Sequence, residues 1–153
     1  MLELEDSIVI NAGQQAIEDW LLNIDEHYPD WHPAHVKWVN LDGPLDEGKT
    51  FYYEEYLHGR LYKSRCRITR LERGPGGTVI EFVGLSVLDR LLGIRGSFLV
   101  EPLGETCSVT ATICLRFGRL TPALAGGIVE DLQTHMKEEG ESLKAILEKA
   151  AEG

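Results

Sequence analysis

Two ionisable residues near the C-terminus, His135 and Glu139, have the spacing of neighbours on one face of a helix. Imidazole nitrogen and carboxylate oxygen are both ligands of zinc and similar divalent cations, so the pair could form half of a metal site. A simple hydrogen bond between the two side chains is the alternative. A metal site would need one or two further ligands from elsewhere in the chain.

A single long helix over residues 121–151 is predicted to carry this pair. Thr121 followed by Pro122 is a start signal, because a hydroxyl group caps the helix and proline suits its first position. The predicted buried face advances in steps of three or four residues through Leu124, Ile128, Leu132, His135, Glu139, Leu143, Ile146 and Ala150. Both ionisable side chains should therefore face the interior.

Three of the five histidines, His27, His32 and His35, fall within nine residues. Two prolines in the same segment prevent a long regular helix, so we predict a turn or short helical piece leading into a strand over 36–41. The clustering favours a site, although surface histidines in a turn are the alternative.

A strand predicted over residues 50–57 contributes two candidate carboxylates, Glu54 and Glu55. The odd-numbered positions are the more apolar set, which would turn Glu55 inward. A buried carboxylate is costly unless it is paired or bound to a metal. The opposite register, with both glutamates at a rim, is the alternative.

The remaining patterns predict a single α+β domain over residues 1–153. A strand (7–11) and a helix (14–24) open the chain, and further strands follow at 62–71, 78–83, 96–101 and 106–117, with an ambiguous segment at 85–92. We expect a curved antiparallel sheet of about six or seven strands wrapped around the long C-terminal helix, with a short helical segment after the first strand. This arrangement leaves a hollow between helix and sheet.

Composition narrows the function classes. The formal net charge of −10 disfavours binding to nucleic acid or to an anionic membrane. The three cysteines lack metal-binding spacing, and the acidic N-terminal residues are unlike a signal peptide. We therefore expect a soluble, reduced, cytoplasmic protein whose partner is a small molecule.

The order of elements resembles the START-like or helix-grip fold, which plant pollen allergens, lipid-transfer domains and polyketide cyclases share. Three segments also resemble the metal-dependent diacetylphloroglucinol hydrolase group: residues 31–35 (WHPAH), 51–55 (FYYEE) and 135–139 (HMKEE). The resemblance implies one zinc ion held by a histidine, a strand glutamate and the helical pair. The candidate ligands are then His32 or His35, Glu55 or Glu54, His135 and Glu139.

Two functions follow as hypotheses. The first is a zinc-dependent hydrolase acting on a carbon–carbon bond of a small aromatic or polyketide-like ketone. Tyr53 or Tyr28 would orient the ring, and His27, or whichever of His32 and His35 is not a ligand, would carry a proton. The second is a non-catalytic or cyclase-type module that binds a hydrophobic small molecule or lipid. A homodimer is left open.

Overall fold

The computed structural model describes residues 2–116 and 122–152, with side chains described except at 122–126. The predicted capping residue Thr121 lies outside this part. The elements, in chain order, are β1 (Leu2–Ile10), α1 (Gln14–Leu22), α2 (Ile24–Trp31), β2 (His35–Asn40), β3 (Thr50–Leu57), β4 (Arg60–Gly74), β5 (Gly77–Gly84), α3 (Val87–Leu92), β6 (Arg95–Pro102), β7 (Cys107–Leu115) and α4 (Pro122–Glu152).

All seven strands form one antiparallel sheet. The order is β1-β7-β6-β5-β4-β3-β2, so β2 to β7 make a meander and β1 pairs with β7. The turn between β3 and β4 is short and uses His58 and Gly59 at positive φ, whereas β5 and β6 are joined through α3. The sheet has its two free edges at β1 and β2.

The core lies between one face of this sheet and the helices. Ile17 and Leu21 of α1, Tyr28 and Trp31 of α2, and Leu143 of α4 belong to one buried cluster with strand residues. The helical pattern of residues 14–24 is split in the structure, because Asn23 separates α1 from α2. The second helix contains Pro29, which its short length tolerates.

The buried side of α4 differs from the predicted one. His135 and Leu143 are buried as expected, but Met136 and Leu147 are buried as well, whereas Ile128 is 39% exposed and Ala150 is exposed. The pattern missed this rotation because α4 packs mainly against β1 at the sheet edge. The helix lies so close to β1 that a Cβ atom at Gly140 would stand 2.9 Å from a carboxylate oxygen of Asp6.

These observations confirm the predicted fold class: an α+β helix-grip domain with a seven-stranded antiparallel sheet and a long C-terminal helix. The ambiguous segment 85–92 contains α3, whose Ser86 side chain caps the helix by accepting a hydrogen bond from the Asp89 amide. None of the described helices has the length and apolar character that crossing a membrane requires. The predicted hollow between helix and sheet stays a prediction.

Candidate metal centre

An irregularity in β2 decides which way His35 points. Lys37 pairs with Glu54 and Trp38 with Tyr53, and the same register would place His35 opposite Tyr56. A bulge between His35 and Lys37 instead places His35 opposite Glu55. Residues directly opposite each other in an antiparallel pair point to the same face, so the bulge turns His35 toward Glu55 and into the core.

Strand β3 supplies one carboxylate to this face and one to the other. Glu55 shares a face with Phe51 and Tyr53, and its side chain is only 12% exposed. Glu54 lies on the opposite face, where it hydrogen-bonds Tyr52 and helps to raise the pKa of that phenol. Glu55, and not Glu54, therefore faces His35, and its role as a metal ligand stays a prediction.

Helix α4 brings His135 and Glu139 to the same point. Trp31, the last residue of α2, fixes the position of α4: its indole Nε1–H donates to the Glu139 carbonyl oxygen at 2.9 Å. Ser142 Oγ in turn donates to the Trp31 carbonyl oxygen at 2.6 Å. These two bonds hold the relevant turns of α4 against α2, directly beside β2.

Four side chains from three elements converge in this way on one small volume, which we call the His–Glu cluster (His35, Glu55, His135 and Glu139). The His35 and His135 Nε2 atoms are 3.3 Å apart. His35 Nε2 lies 3.5 Å from Glu55 Oε2 and 3.2 Å from Glu139 Oε2. His135 Nε2 lies 3.3 Å from Glu55 Oε2 and 3.1 Å from Glu139 Oε1.

The cluster contains more hydrogen-bond acceptors than donors. His35 Nδ1 is 2.9 Å from the Tyr28 carbonyl oxygen, which can only accept, so Nδ1 carries a proton. In the neutral ring Nε2 then presents a lone pair to the two carboxylates. Tyr28 Oη–H donates to Glu55 Oε2 at 3.0 Å and stays protonated, because burial and the nearby Glu55 raise its pKa. A proton on His135 Nε2 is the remaining donor within the cluster.

A cation would balance this arrangement. Zinc binds nitrogen and oxygen ligands at about 2.0–2.1 Å in a tetrahedron, whose ligands are therefore about 3.3–3.4 Å apart. The five nitrogen–nitrogen and nitrogen–oxygen separations in the cluster run from 3.1 to 3.5 Å. Two imidazoles and two carboxylates thus fit the donor set and the spacing of a zinc site, with His35 facing Oε2 and His135 facing Oε1 of Glu139.

Without a cation, protons must offset the same repulsion. Burial alone would lower the pKa of His135, but hydrogen bonds to Glu139 and Glu55 raise it to about 10. Burial alone would raise the pKa of Glu139, but the hydrogen bond and the charge of His135, with His35 close by, lower it to about 2. In the metal-free protein the cluster therefore holds a positive imidazolium between two carboxylates.

His32 lies beside the cluster without joining its contacts. Its ring centroid is 4.3 Å from that of His135, and the ligand atoms of His32, His35 and His135 lie within 4.8 Å of one another. The Ala34 amide donates to His32 Nδ1 at 2.9 Å. Burial and the two neighbouring histidines lower the pKa of His32. Its Nε2 atom is buried and has no hydrogen-bond partner among the described residues.

The other predicted site residues, His27, Tyr28 and Tyr53, lie outside the His–Glu cluster. His27 stacks on Trp20 with ring centroids 5.1 Å apart, and no described contact joins it to the cluster. Tyr53 lies 6.1 Å from Tyr28 between ring centroids, and burial raises the pKa of its phenol. Tyr28 stacks on His35 at 3.9 Å, so its ring supports that imidazole. Catalytic roles for His27, Tyr28 and Tyr53 stay predictions.

Sequence reasoning missed a second buried polar group. Asp89 of α3 is fully buried and accepts hydrogen bonds from Tyr62 Oη–H and, at 2.6 Å, from Ser64 Oγ–H. The motif Ser86-Val87-Leu88-Asp89 predicts a capped helix. No sequence signal shows that this Asp turns inward, because that depends on how α3 packs over β4 and β5.

Comparison with known proteins places this chain in a family. The sequence matches the model described as polyketide cyclase/dehydrase and lipid transport over residues 1–148. No curated protein sequence matches the chain.

Solved structures share the fold at low sequence identity. The hypothetical protein jhp0584 from Helicobacter pylori has a TM-score of 0.79 and 14% identity, over 95% of this chain and 88% of that one. The Zhui aromatase/cyclase from Streptomyces sp. R1128 has a TM-score of 0.75 and 16% identity, over 98% and 95%. A START superfamily protein from Mycobacterium smegmatis has a TM-score of 0.72 and 12% identity, over 97% and 98%. Since the family model covers nearly the whole sequence, this chain belongs to the polyketide cyclase/dehydrase and lipid transport family.

Proposed function

We propose that this protein is a cyclase-type member of its family that binds a small aromatic or polyketide-like molecule, and that its His–Glu cluster holds one zinc ion beside that molecule. The observation that carries the proposal is the convergence of two imidazole nitrogens and two carboxylates at separations of 3.1–3.5 Å. Two carboxylates are stable in an apolar protein interior only when protons or a cation offset their negative charge.

The protein's own residues prepare the site. The Tyr28 carbonyl oxygen holds His35 in the tautomer that turns the Nε2 lone pair inward, and the Tyr28 hydroxyl group orients Glu55. Trp31 fixes the backbone of Glu139. Such outer hydrogen bonds are typical of metal ligands, because they set the orientation and basicity of the inner groups. When bound, zinc would polarise a carbonyl group of the ligand.

The reaction is the finer part of the proposal. The resemblance of three short segments implies hydrolysis of a carbon–carbon bond in an acylated phenol. The family description and the aromatase/cyclase name of one structural neighbour instead support cyclisation of a polyketide-like molecule. Both reactions act at a carbonyl group, so the polarising role of the site is common to them.

Metal analysis is the first test. Protein purified without chelators should contain close to one zinc ion per chain, and EDTA should lower its Tm, because a ligand that binds only the folded state stabilises it. The wild-type protein should also bind 2,4-dihydroxyacetophenone in calorimetry, more tightly with zinc than after EDTA treatment. A stoichiometry near zero together with an unchanged Tm in EDTA would overturn the zinc site.

A second candidate is a metal-free carrier, which the lipid transport part of the family description favours. In that case the imidazolium of His135 offsets part of the negative charge of Glu55 and Glu139, and the cluster is a polar lining. The carrier would retain an apolar molecule through purification, detectable by mass spectrometry. It would bind that molecule equally well with and without EDTA.

A further inference from the structure

His32 and His35 are three residues apart, but the backbone imposes opposite tautomers on them. The group facing His35 Nδ1 is a carbonyl oxygen, which can only accept a hydrogen bond. The group facing His32 Nδ1 is the Ala34 amide, which can only donate one. A neutral imidazole carries one proton, so His35 has its proton on Nδ1 and His32 has its proton on Nε2.

This difference separates the two histidines chemically. A histidine binds zinc through an unprotonated nitrogen, and His35 offers one at Nε2 toward the cluster. The unprotonated nitrogen of His32 is Nδ1, which is already occupied by the Ala34 amide. The turn that makes this bond is itself closed by a hydrogen bond from the His35 amide to the His32 carbonyl oxygen at 3.0 Å. The tautomer of His32 is therefore built into the chain.

The consequence is a buried donor without an acceptor. His32 Nε2 is the buried side-chain nitrogen that lacks a hydrogen-bond partner in the described part of the chain. The nearest carboxylate, Glu138 Oε1, is 3.7 Å away, beyond hydrogen-bond distance, on a half-exposed side chain. An unsatisfied buried N–H group is costly, and such groups in native proteins call for an explanation, such as an ordered water, an ion or a functional role.

We infer that His32 is not a ligand of the cation but a binding residue, whose Nε2–H donates a hydrogen bond to an acceptor oxygen of the bound molecule: a carbonyl, enolate or carboxylate oxygen. The inference rests on the zinc site proposed above and deepens it. It assigns the ligand set to His35, His135, Glu55 and Glu139, and it gives the site a selective contact. Molecules that lack an oxygen at this position leave the donor unpaired and bind more weakly.

Zinc affinity separates this inference from the parent proposal. His32→Leu should keep a Kd for zinc within about 3-fold of wild type, whereas His35→Leu, which removes a ligand, should raise it at least about 100-fold. His27→Leu serves as a control for the loss of a histidine outside the cluster. If wild-type protein takes up no zinc, both proposals fail. If wild type binds zinc and His32→Leu loses it as His35→Leu does, only the assignment of His32 fails.

The tautomers can be read from wild-type protein without any substitution. In long-range proton–nitrogen correlation spectra of the zinc-loaded protein, His32 should show a proton on Nε2, and His35 a proton on Nδ1 with a metal-bound Nε2. A metal-bound nitrogen in His32 would overturn the inference. Because this measurement uses only wild-type protein, it remains valid if a substituted variant fails to fold.

The donor role has its own readout. Acetohydroxamate, a small oxygen anion that binds zinc, should bind the zinc-loaded wild-type protein about 10-fold more tightly than it binds His32→Leu, the loss expected for one hydrogen bond to a charged oxygen. His32→Gln, which keeps an N–H donor near the same position, should restore binding to within about 3-fold of wild type. Equal affinity in wild type and His32→Leu, including no binding by either, would overturn the role.

Discussion

Two polar clusters of the described residues, one around Asp89 and one around Glu55 and Glu139, differ in one respect. Around Asp89, each acceptor oxygen meets a donor, since Tyr62 and Ser64 both donate to this carboxylate. Around Glu55 and Glu139, two carboxylates and the lone pair of His35 share few donors. A balanced cluster stabilises the fold by itself, whereas an unbalanced one needs something added. The comparison suggests that the donor count, more than burial, separates structural from functional polar groups here.

The largest effect on stability should come from removing the carboxylate of Asp89, which is the acceptor of the balanced cluster. Asp89→Leu leaves two buried hydroxyl groups without an acceptor, and each unpaired group costs about 1–3 kcal/mol, so unfolding free energy should fall by about 3–4 kcal/mol. Urea denaturation measures this loss. The Kd for zinc should not change, because α3 lies outside the His–Glu cluster. An Asp89→Leu variant as stable as wild type would contradict the claim that the hydrogen bonds to Asp89 stabilise the fold.

In the unbalanced cluster the same kind of change should affect metal affinity instead. Glu55→Gln should raise the Kd for zinc about 100-fold, or about 2.7 kcal/mol, by replacing a charged ligand with a neutral one. Without metal, its unfolding free energy should stay within about 1 kcal/mol of wild type, because one source of repulsion is removed. Zinc titration and urea denaturation in EDTA provide the two readouts. A large loss of unfolding free energy in EDTA would show that Glu55, like Asp89, stabilises the fold by itself.

The sequence could predict some residues of the His–Glu cluster but not all of them. Spacing placed His135 and Glu139 on one face, and alternation placed Glu55 inward, because both periods are local properties of helix and strand. The choice between His32 and His35 could not be predicted, since it depends on a one-residue bulge and on two backbone hydrogen bonds. Burial of Met136 was missed for a related reason: the packing of α4 against β1 is a tertiary property.

Stability of the metal-free protein should also depend on pH at this cluster. The folded-state pKa of His135 is raised to about 10, so its contribution is fully present below about pH 6.5 and is lost as the pH rises toward 10. Between pH 6.5 and 8 we expect a loss of about 1–2 kcal/mol.

Glu139 should make the stability of the metal-free protein depend on pH at the acidic end of the range. Its folded-state pKa is lowered to about 2, so its contribution is present above about pH 4.5 and is lost as the pH falls toward 2. Urea denaturation in EDTA across this range should show the slopes on both sides. Glu139→Gln should flatten them, and an unchanged profile in that variant would show that the cluster does not bind the extra proton.

The smallest effect concerns the hydroxyl group that orients Glu55. Tyr28→Phe removes one hydrogen bond to a metal-binding carboxylate and should raise the Kd for zinc about 10-fold. Tyr53→Phe is the matched control, because no described hydrogen bond joins Tyr53 to the cluster, and its zinc affinity should equal that of wild type. A similar loss in both variants would point to general packing of the aromatic residues.

The bulge in β2 makes the centre unusually easy to gain or lose. If β2 paired regularly with β3 at this point, Val36 would stand opposite Glu55 and His35 opposite Tyr56, so no imidazole would face Glu55, while the rest of the sheet keeps its hydrogen bonds. A shift in the pairing of this one segment would therefore empty the centre without changing the order of the strands. The local register of β2, more than the architecture, decides whether the centre can form.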